Sequence, residues 1–300
     1  MKRRRLVVAL TIVVLLVALT PAAGQDAVKA EIRQAIDAAY LNAYLNGMDA
    51  KAILAGWEHG AISPRFGNSG ELVYVTITEW IAADLRDNRK PPEKKEFKFL
   101  YPVIDVTGDM AMAKVEAMRG ETIVFTGYFP VVKTRTGWKI VGYPYYDHQQ
   151  GARPQTPAGE ADAVKKVVED TLVRGLMQDG TKEQVLAGMG PFCDVNLYLP
   201  ELDLVTKLDL NPVFATKSYL KSHMDHGDPR ARIKTSAFTL IGITGNVAAG
   251  KLAVTFDSGT VMTMYVALYK LKTGWAIAQI ATDKHPWMTI FLLSPPPPRR

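Results

Sequence analysis

Apolar positions along this chain follow a helical period, then a strand period, and the whole succession occurs twice. Val28, Ile32, Ala35, Ile36, Ala39, Tyr40 and Ala43 recur at three and four residues, as do Val164, Val167, Val168, Thr171, Leu172, Gly175 and Leu176. Each set marks one stripe of a long amphipathic helix. A short second helix follows in both halves, with Asp49 or Thr181 placed to cap its unpaired first-turn N–H groups. Gly60 to Val75 reads as a hairpin broken at Gly67-Asn68-Ser69-Gly70. A third helix starts near Thr76 and carries Trp80; its counterpart starts near Thr216 and carries Tyr219.

Only strands follow. Phe97 to Thr107, Met110 to Met118, Thr122 to Thr134 and Trp138 to Tyr145 are separated by Gly-Asp, Arg-Gly and Thr-Gly turns, the signature of an antiparallel meander. Ile233 to Thr244, Val247 to Phe256, Thr260 to Leu271 and Trp275 to Thr282 repeat it.

The repetition extends to residue identity. Ile53-Leu54-Ala55-Gly56-Trp57 returns as Val185-Leu186-Ala187-Gly188-Met189, and Ile104-Asp105-Val106-Thr107-Gly108 as Ile241-Gly242-Ile243-Thr244-Gly245. Lys114 is matched by Lys251, and Lys133 through Ile140 by Lys270 through Ile277, sharing Thr-Gly-Trp. Solenoid units recur every 20 to 50 residues or so; a spacing of 132 to 137 is that of a duplicated domain. The organisation read from these matches is a first domain at 25–148, a Pro/Gly linker at 149–159 and a second domain at 160–286.

Before the first domain, Met1-Lys2-Arg3-Arg4-Arg5, the apolar run Leu6 to Leu19 and then Thr20-Pro21-Ala22-Ala23-Gly24 have the three-part form of a secretory signal peptide, 1–24. The apolar run stops short of the roughly 20 residues that span a bilayer, so no integral membrane segment is expected after cleavage. The location expected is periplasmic or extracellular. Loss of the leader's four basic residues lowers the formal charge from +6 to +2, which leaves no basic stripe for a nucleic acid. Cys193 is the only cysteine, so no intrachain disulfide can form, and it reads as a small core residue. The tail 287–300, apolar and then Pro-rich, has no counterpart in the first half and reads as an edge-covering or partner-docking segment.

Gly47-Met48-Asp49 opens the second helix, Trp57-Glu58-His59-Gly60-Ala61 closes it, and Glu79-Trp80 lies on the third. Together with Asp105 to Ala111 at a turn and Lys133 with Gly137-Trp138-Lys139-Ile140-Val141 at the end, this wording resembles the nuclear transport factor 2-like superfamily, also called SnoaL-like, and within it the lumazine-binding branch. The resemblance implies an α+β fold of two cystatin-like cones, each a long N-terminal helix and two short helices packed on a curved antiparallel sheet. It also implies an apolar pocket in each cone, which can be a site or a filled core.

Members resembling ketosteroid isomerase place a tyrosine on the first helix opposite a carboxylate base on the first hairpin. Tyr40 matches the tyrosine, but Pro64 or Arg65 stands where the carboxylate belongs, and the second half has Leu176 for the tyrosine. His59 reads as a polar helix-end residue or a base. Asp147-His148 and Asp283-Lys284-His285 end the last strand of each half with no serine or cysteine spaced for a triad. His223, Asp225 and His226 are metal-type ligands at helical spacing, yet two histidines do not close a site. No metal and no cofactor are expected.

The candidate ligand-contacting residues are Tyr40, Trp57, His59, Trp80 and Tyr219. Aromatic walls with few polar groups suit a flat, mostly apolar ligand. The expectation is a non-catalytic module that binds a small apolar ligand or a protein partner, its halves packed as an internal pseudo-dimer or the chain paired as a homodimer. The alternative is an isomerase, dehydratase or hydrolase that uses one cone.

Overall fold

The computed structural model describes residues 24–66, 71–87, 90, 96–148, 151–178, 180–199, 202–209 and 232–282. The leader up to Ala23, the hairpin tip Gly67 to Gly70, the Tyr219 helix, the His223-Asp225-His226 cluster, Asp283-Lys284-His285 and the tail lie outside the described residues.

Helix α1 is α-helical over 24–36 and widens to a π-helix over Asp37–Leu45. Its end shows the i→i−5 bond of that form, Asn46 N donating to Leu41 O at 2.9 Å. The second half does the same: α4 runs Glu160–Val168 and continues as a π-helix over Glu169–Met177. The sequence period indicates α throughout, and the widened second part of each helix is a departure from it. Helices α2 (Ala50–Gly56) and α5 (Lys182–Gly188) begin on their expected caps: Ala52 N donates to Asp49 Oδ1 at 3.0 Å, and Gln184 N to Thr181 Oγ1 at 3.1 Å.

The repeated Leu-Ala-Gly at the ends of α2 and α5 has a steric cause. A Cβ on Gly56 would lie 2.1 Å from Ala39 Cβ, and one on Gly188 would lie 1.7 Å from Thr171 Oγ1. Only glycine allows the short helix to press against the long one. Helix α3 (Ile77–Arg86) opens with a capping box between Thr76 and Glu79.

Strands β1 (Trp57–Phe66), β2 (Leu72–Thr76), β3 (Phe97–Thr107), β4 (Met110–Arg119), β5 (Thr122–Thr134), β6 (Gly137–Gly142) and β7 (Tyr145–Asp147) form one sheet. Its order is β2-β1-β6-β5-β4-β3, with β7 on β5. Strands β8 (Met189–Leu199), β9 (Leu204–Asp209), β10 (Ile233–Thr244), β11 (Val247–Phe256), β12 (Val261–Leu271) and β13 (Gly274–Thr282) form the other, ordered β10-β11-β12-β13-β8-β9. The two orders are the same once the duplication is applied.

Three details correct the expectation. The sheets are mixed, because β1 pairs with β6 and β8 with β13 in parallel; each hairpin joins its sheet beside the last strand of the meander. The strand expected from Trp138 to Tyr145 breaks at Tyr143-Pro144, and both pieces pair with β5. Strand β1 begins at Trp57, directly after α2, so His59 is a strand residue and not a helix end.

Both faces of each sheet are covered, which is why the central strands read as almost continuous apolar runs. On β4, Ala111, Ala113, Val115 and Ala117 face α1, while Met110 and Met112 face the second sheet. On β11, Ala248, Leu252 and Val254 face α4, while Val247 and Ala249 face the first sheet. The repeated Lys and Thr-Gly-Trp residues bind each long helix to its sheet. Lys133 Nζ and Trp138 Nε1 both donate to Glu31 Oε2, at 3.1 and 3.2 Å, and Lys270 and Trp275 hold Glu160 in the same way.

The sheets meet back to back around Met112, Tyr128, Tyr265 and Tyr269. Tyr128 OH lies 3.1 Å from Thr244 Oγ1, and its counterpart Tyr265 OH lies 3.3 Å from Thr107 Oγ1. Gly142 packs against its own counterpart Gln279, whose Nε2 donates to Val141 O at 3.4 Å. Lys251 Nζ donates to Asp105 at 2.7 and 2.9 Å. The matching Lys114 meets Gly242 and finds no carboxylate there. The linker is fixed to the first sheet: His148 Nδ1 donates to Ala152 O at 2.9 Å, and Arg153 Nη2 to the buried Glu116.

Candidate functional site

The inward face of the first sheet is lined with rings from every neighbouring element. Tyr40 from α1, 2% exposed, lies 5.9 Å from Trp57 of β1, 6.1 Å from Trp80 of α3 and 5.9 Å from Phe99 of β3, centroid to centroid. Phe125 and Phe129 of β5 close in at 6.0 and 5.5 Å, and Tyr143 at the β6–β7 break at 4.8 Å. The Tyr40 and Tyr143 hydroxyls are hydrogen-bonded to each other, and burial pushes both phenols well above their ordinary range. Both are therefore neutral at physiological pH and can donate.

Trp57, 4% exposed, has an Nε1–H with no partner among the described residues. A buried donor left unpaired costs about 1–3 kcal/mol.

Trp80 and Tyr145 are half-buried. Trp80 lies nearly parallel to Tyr143 (6.0 Å, 12°), and Tyr143 stacks on Tyr145 (4.7 Å, 6°). Arg65 donates to the Tyr145 hydroxyl. Asp147, two residues further along the same face of β7, is exposed, and partial desolvation holds its carboxyl above the ordinary range against the pull of His148.

Of the residues singled out in the sequence, Tyr40, Trp57 and Trp80 come together. His59 does not join them: it is exposed, and β1 is irregular there, with Gly60 at φ 88° and a shift in the β1–β6 register between Trp57 and Ile62. Tyr219 lies outside the described residues. The residues not anticipated are Phe99, Phe125, Phe129, Tyr143 and Tyr145. The run Tyr143-Pro144-Tyr145-Tyr146 is their one sequence signal, since a proline inside an expected strand marks a break. Among the described residues no cluster of His, Cys, Asp and Glu is placed to hold a metal, and no helix is long and apolar enough to cross a membrane.

The second core differs in kind. Among the described residues Leu172, Val185, Met189, Leu252, Met262 and Met264 make up most of it, together with Phe256 and Trp275, and Cys193 is fully buried within. Helix packing also corrects the expected correspondence. Ala39 and Thr171 are the residues beneath the two α2-type glycines, so Leu172, not Leu176, occupies the place of Tyr40.

The family described as Putative lumazine-binding matches residues 27–146, the stretch that carries this ring cluster. Over that stretch the chain is similar to the family. Similar solved structures include a nuclear transport factor 2-like protein of unknown function from Shewanella baltica (20% identity, 41% of this chain and 94% of that one, TM-score 0.34). Another is a protein of unknown function from Pectobacterium atrosepticum (28% identity, 41% and 91%, TM-score 0.32). A third, from Nostoc punctiforme, is described as a domain with a cystatin-like fold (13%, 46% and 85%, TM-score 0.33). No curated protein matches the chain. The stretch that matches the family is thus the half with the aromatic interior, and its π-helical α1 supplies the central tyrosine.

Proposed function

We propose that this chain is an exported protein of two domains, 25–148 and 160–286, in which the first cone binds a flat, mostly apolar small molecule and the second serves as its scaffold. The reading is carried by one contrast among the described residues: the first interior is aromatic, with an unpaired Trp57 N–H and a Tyr40–Tyr143 hydroxyl pair, and the second is mostly aliphatic and methionine side chains. Aromatic faces stack on planar ligands, and a few donors among them set orientation. The lumazine-binding family match over 27–146 agrees with a small-ligand role for that half. Leader-like residues 1–24 support export, and the matched contacts between the sheets support a built-in pair, so the chain is expected to be monomeric.

The test is a panel of steroids, polyketides and flavin-like compounds, read by quenching of tryptophan emission. Binding without turnover, lost in Trp80→Ala, is the expected result; no binding across the panel counts against the reading. A second reading, acid–base catalysis in the same cone, is favoured by Asp147, whose carboxyl shares a face with Tyr143 and Tyr145. Turnover that vanishes in both Tyr40→Phe and Asp147→Asn would establish it.

A further inference from the structure

The rim of the first cone carries one cation whose placement follows from strand alternation. Along β1, Ala61, Ser63 and Arg65 share a face, and Ala61 lies in the ring-lined core, while Phe66 on the opposite face packs between the sheets. Arg65 therefore projects on the cone side. There it donates to the Tyr145 hydroxyl, and that ring stacks on Tyr143 at 4.7 Å. No carboxylate forms an ion pair with Arg65 among the described residues, although the charge of Asp147 also acts on the Tyr145 hydroxyl that Arg65 meets. Deeper in, Trp57 Nε1 is a second donor without an acceptor. The first cone thus carries aromatic rings, a buried donor without an acceptor among the described residues, and the Arg65 guanidinium beside Tyr145.

We infer that the ligand of this cone is a flat apolar molecule bearing an anionic oxygen group, which Arg65 holds at the rim while the rings lie against Trp80 and Tyr145. The inference rests on the ligand-binding reading above. A guanidinium stays charged across the physiological range and pairs with carboxylate or sulfonate through a planar fork. The preference for an anion should therefore persist from about pH 5 to 9 and weaken with salt.

Two fluorescent probes separate the claims: 1-anilinonaphthalene-8-sulfonate and N-phenyl-1-naphthylamine, which share their rings and differ by the sulfonate. Each is titrated into the full-length mature protein, Trp80→Ala, Arg65→Gln and Arg65→Lys, with circular dichroism confirming that each variant folds. The wild type should bind the sulfonate about tenfold more tightly than the neutral amine, the gain of one charge-assisted contact. Arg65→Gln should remove that margin and leave the amine unchanged, and Arg65→Lys should keep most of it. Amine binding that depends on Trp80, with a sulfonate margin unmoved by Arg65→Gln, overturns the anion preference and leaves the cone reading intact. Binding of neither probe, or binding indifferent to Trp80→Ala, overturns both.

Discussion

Tyr40 is the residue on which the first interior converges, and its hydroxyl and its ring do separable work. Tyr40→Phe keeps the ring but leaves the buried Tyr143 hydroxyl without its partner, so a loss of about 1–3 kcal/mol is expected in urea unfolding. Tyr40→Leu, which installs the residue the second core uses at this place, also removes ring volume and should cost more than Tyr40→Phe. If the two variants lose the same stability, the ring is not packed as described. Tyr40, Trp57 and Trp80 were legible in the sequence because they sit on helical stripes or flank a glycine that punctuates the chain. Phe125, Phe129 and Tyr143 were not, because β5 and the break after β6 are apolar on both faces. A strand buried on both sides does not announce which side faces a helix.

At the scale of elements, each long helix is tied to its sheet by a glutamate that accepts from a lysine and a tryptophan of the Thr-Gly-Trp hairpin. The hydrogen bonds from Lys133 and Trp138 hold Glu31 below its ordinary value of 4.5, and those from Lys270 and Trp275 do the same for Glu160. A folded-state value below the unfolded one stabilises the protein above that ordinary value, and the contribution is lost as pH falls through the lowered folded value. Acid unfolding followed by circular dichroism should therefore flatten below about pH 4.5 in Glu31→Gln/Glu160→Gln; an unchanged slope would show that the clamps do not contribute. The duplicated motif was readable from sequence. The carboxylate partners were not, since Glu31 and Glu160 come from different turns of their helices and share no alignment column.

The parallel pairing of β1 with β6 and of β8 with β13 was equally hidden. Hydrophobic alternation sets which side chains share a face, and it carries no information on which strand lies alongside. The order of helices and strands, by contrast, followed from caps, turns and period changes, which are local signals. That is why Asp49, Thr181 and Thr76 were placed correctly at helix starts while the sheet type was not.

For the whole molecule, the layer between the sheets shows how far the halves have diverged. Tyr128 and Tyr265 still mirror one another, but Lys251 has Asp105 as its partner, whereas Lys114 faces Gly242. Asp105→Ala would leave the Lys251 ammonium without its carboxylate in a mostly buried layer, at a cost of about 1–3 kcal/mol after allowance for partial exposure. Lys251→Met should cost more than Lys114→Met in the same unfolding assay; equal losses would mean that the ion pair adds nothing to the joining of the halves.

The division of labour between an aromatic, ligand-receiving first cone and a filled second one is tested most directly by stoichiometry. Isothermal titration of the mature chain with N-phenyl-1-naphthylamine should give one equivalent bound per chain, and none in Trp80→Ala. Two equal sites per chain, or one site that survives that substitution, would contradict it.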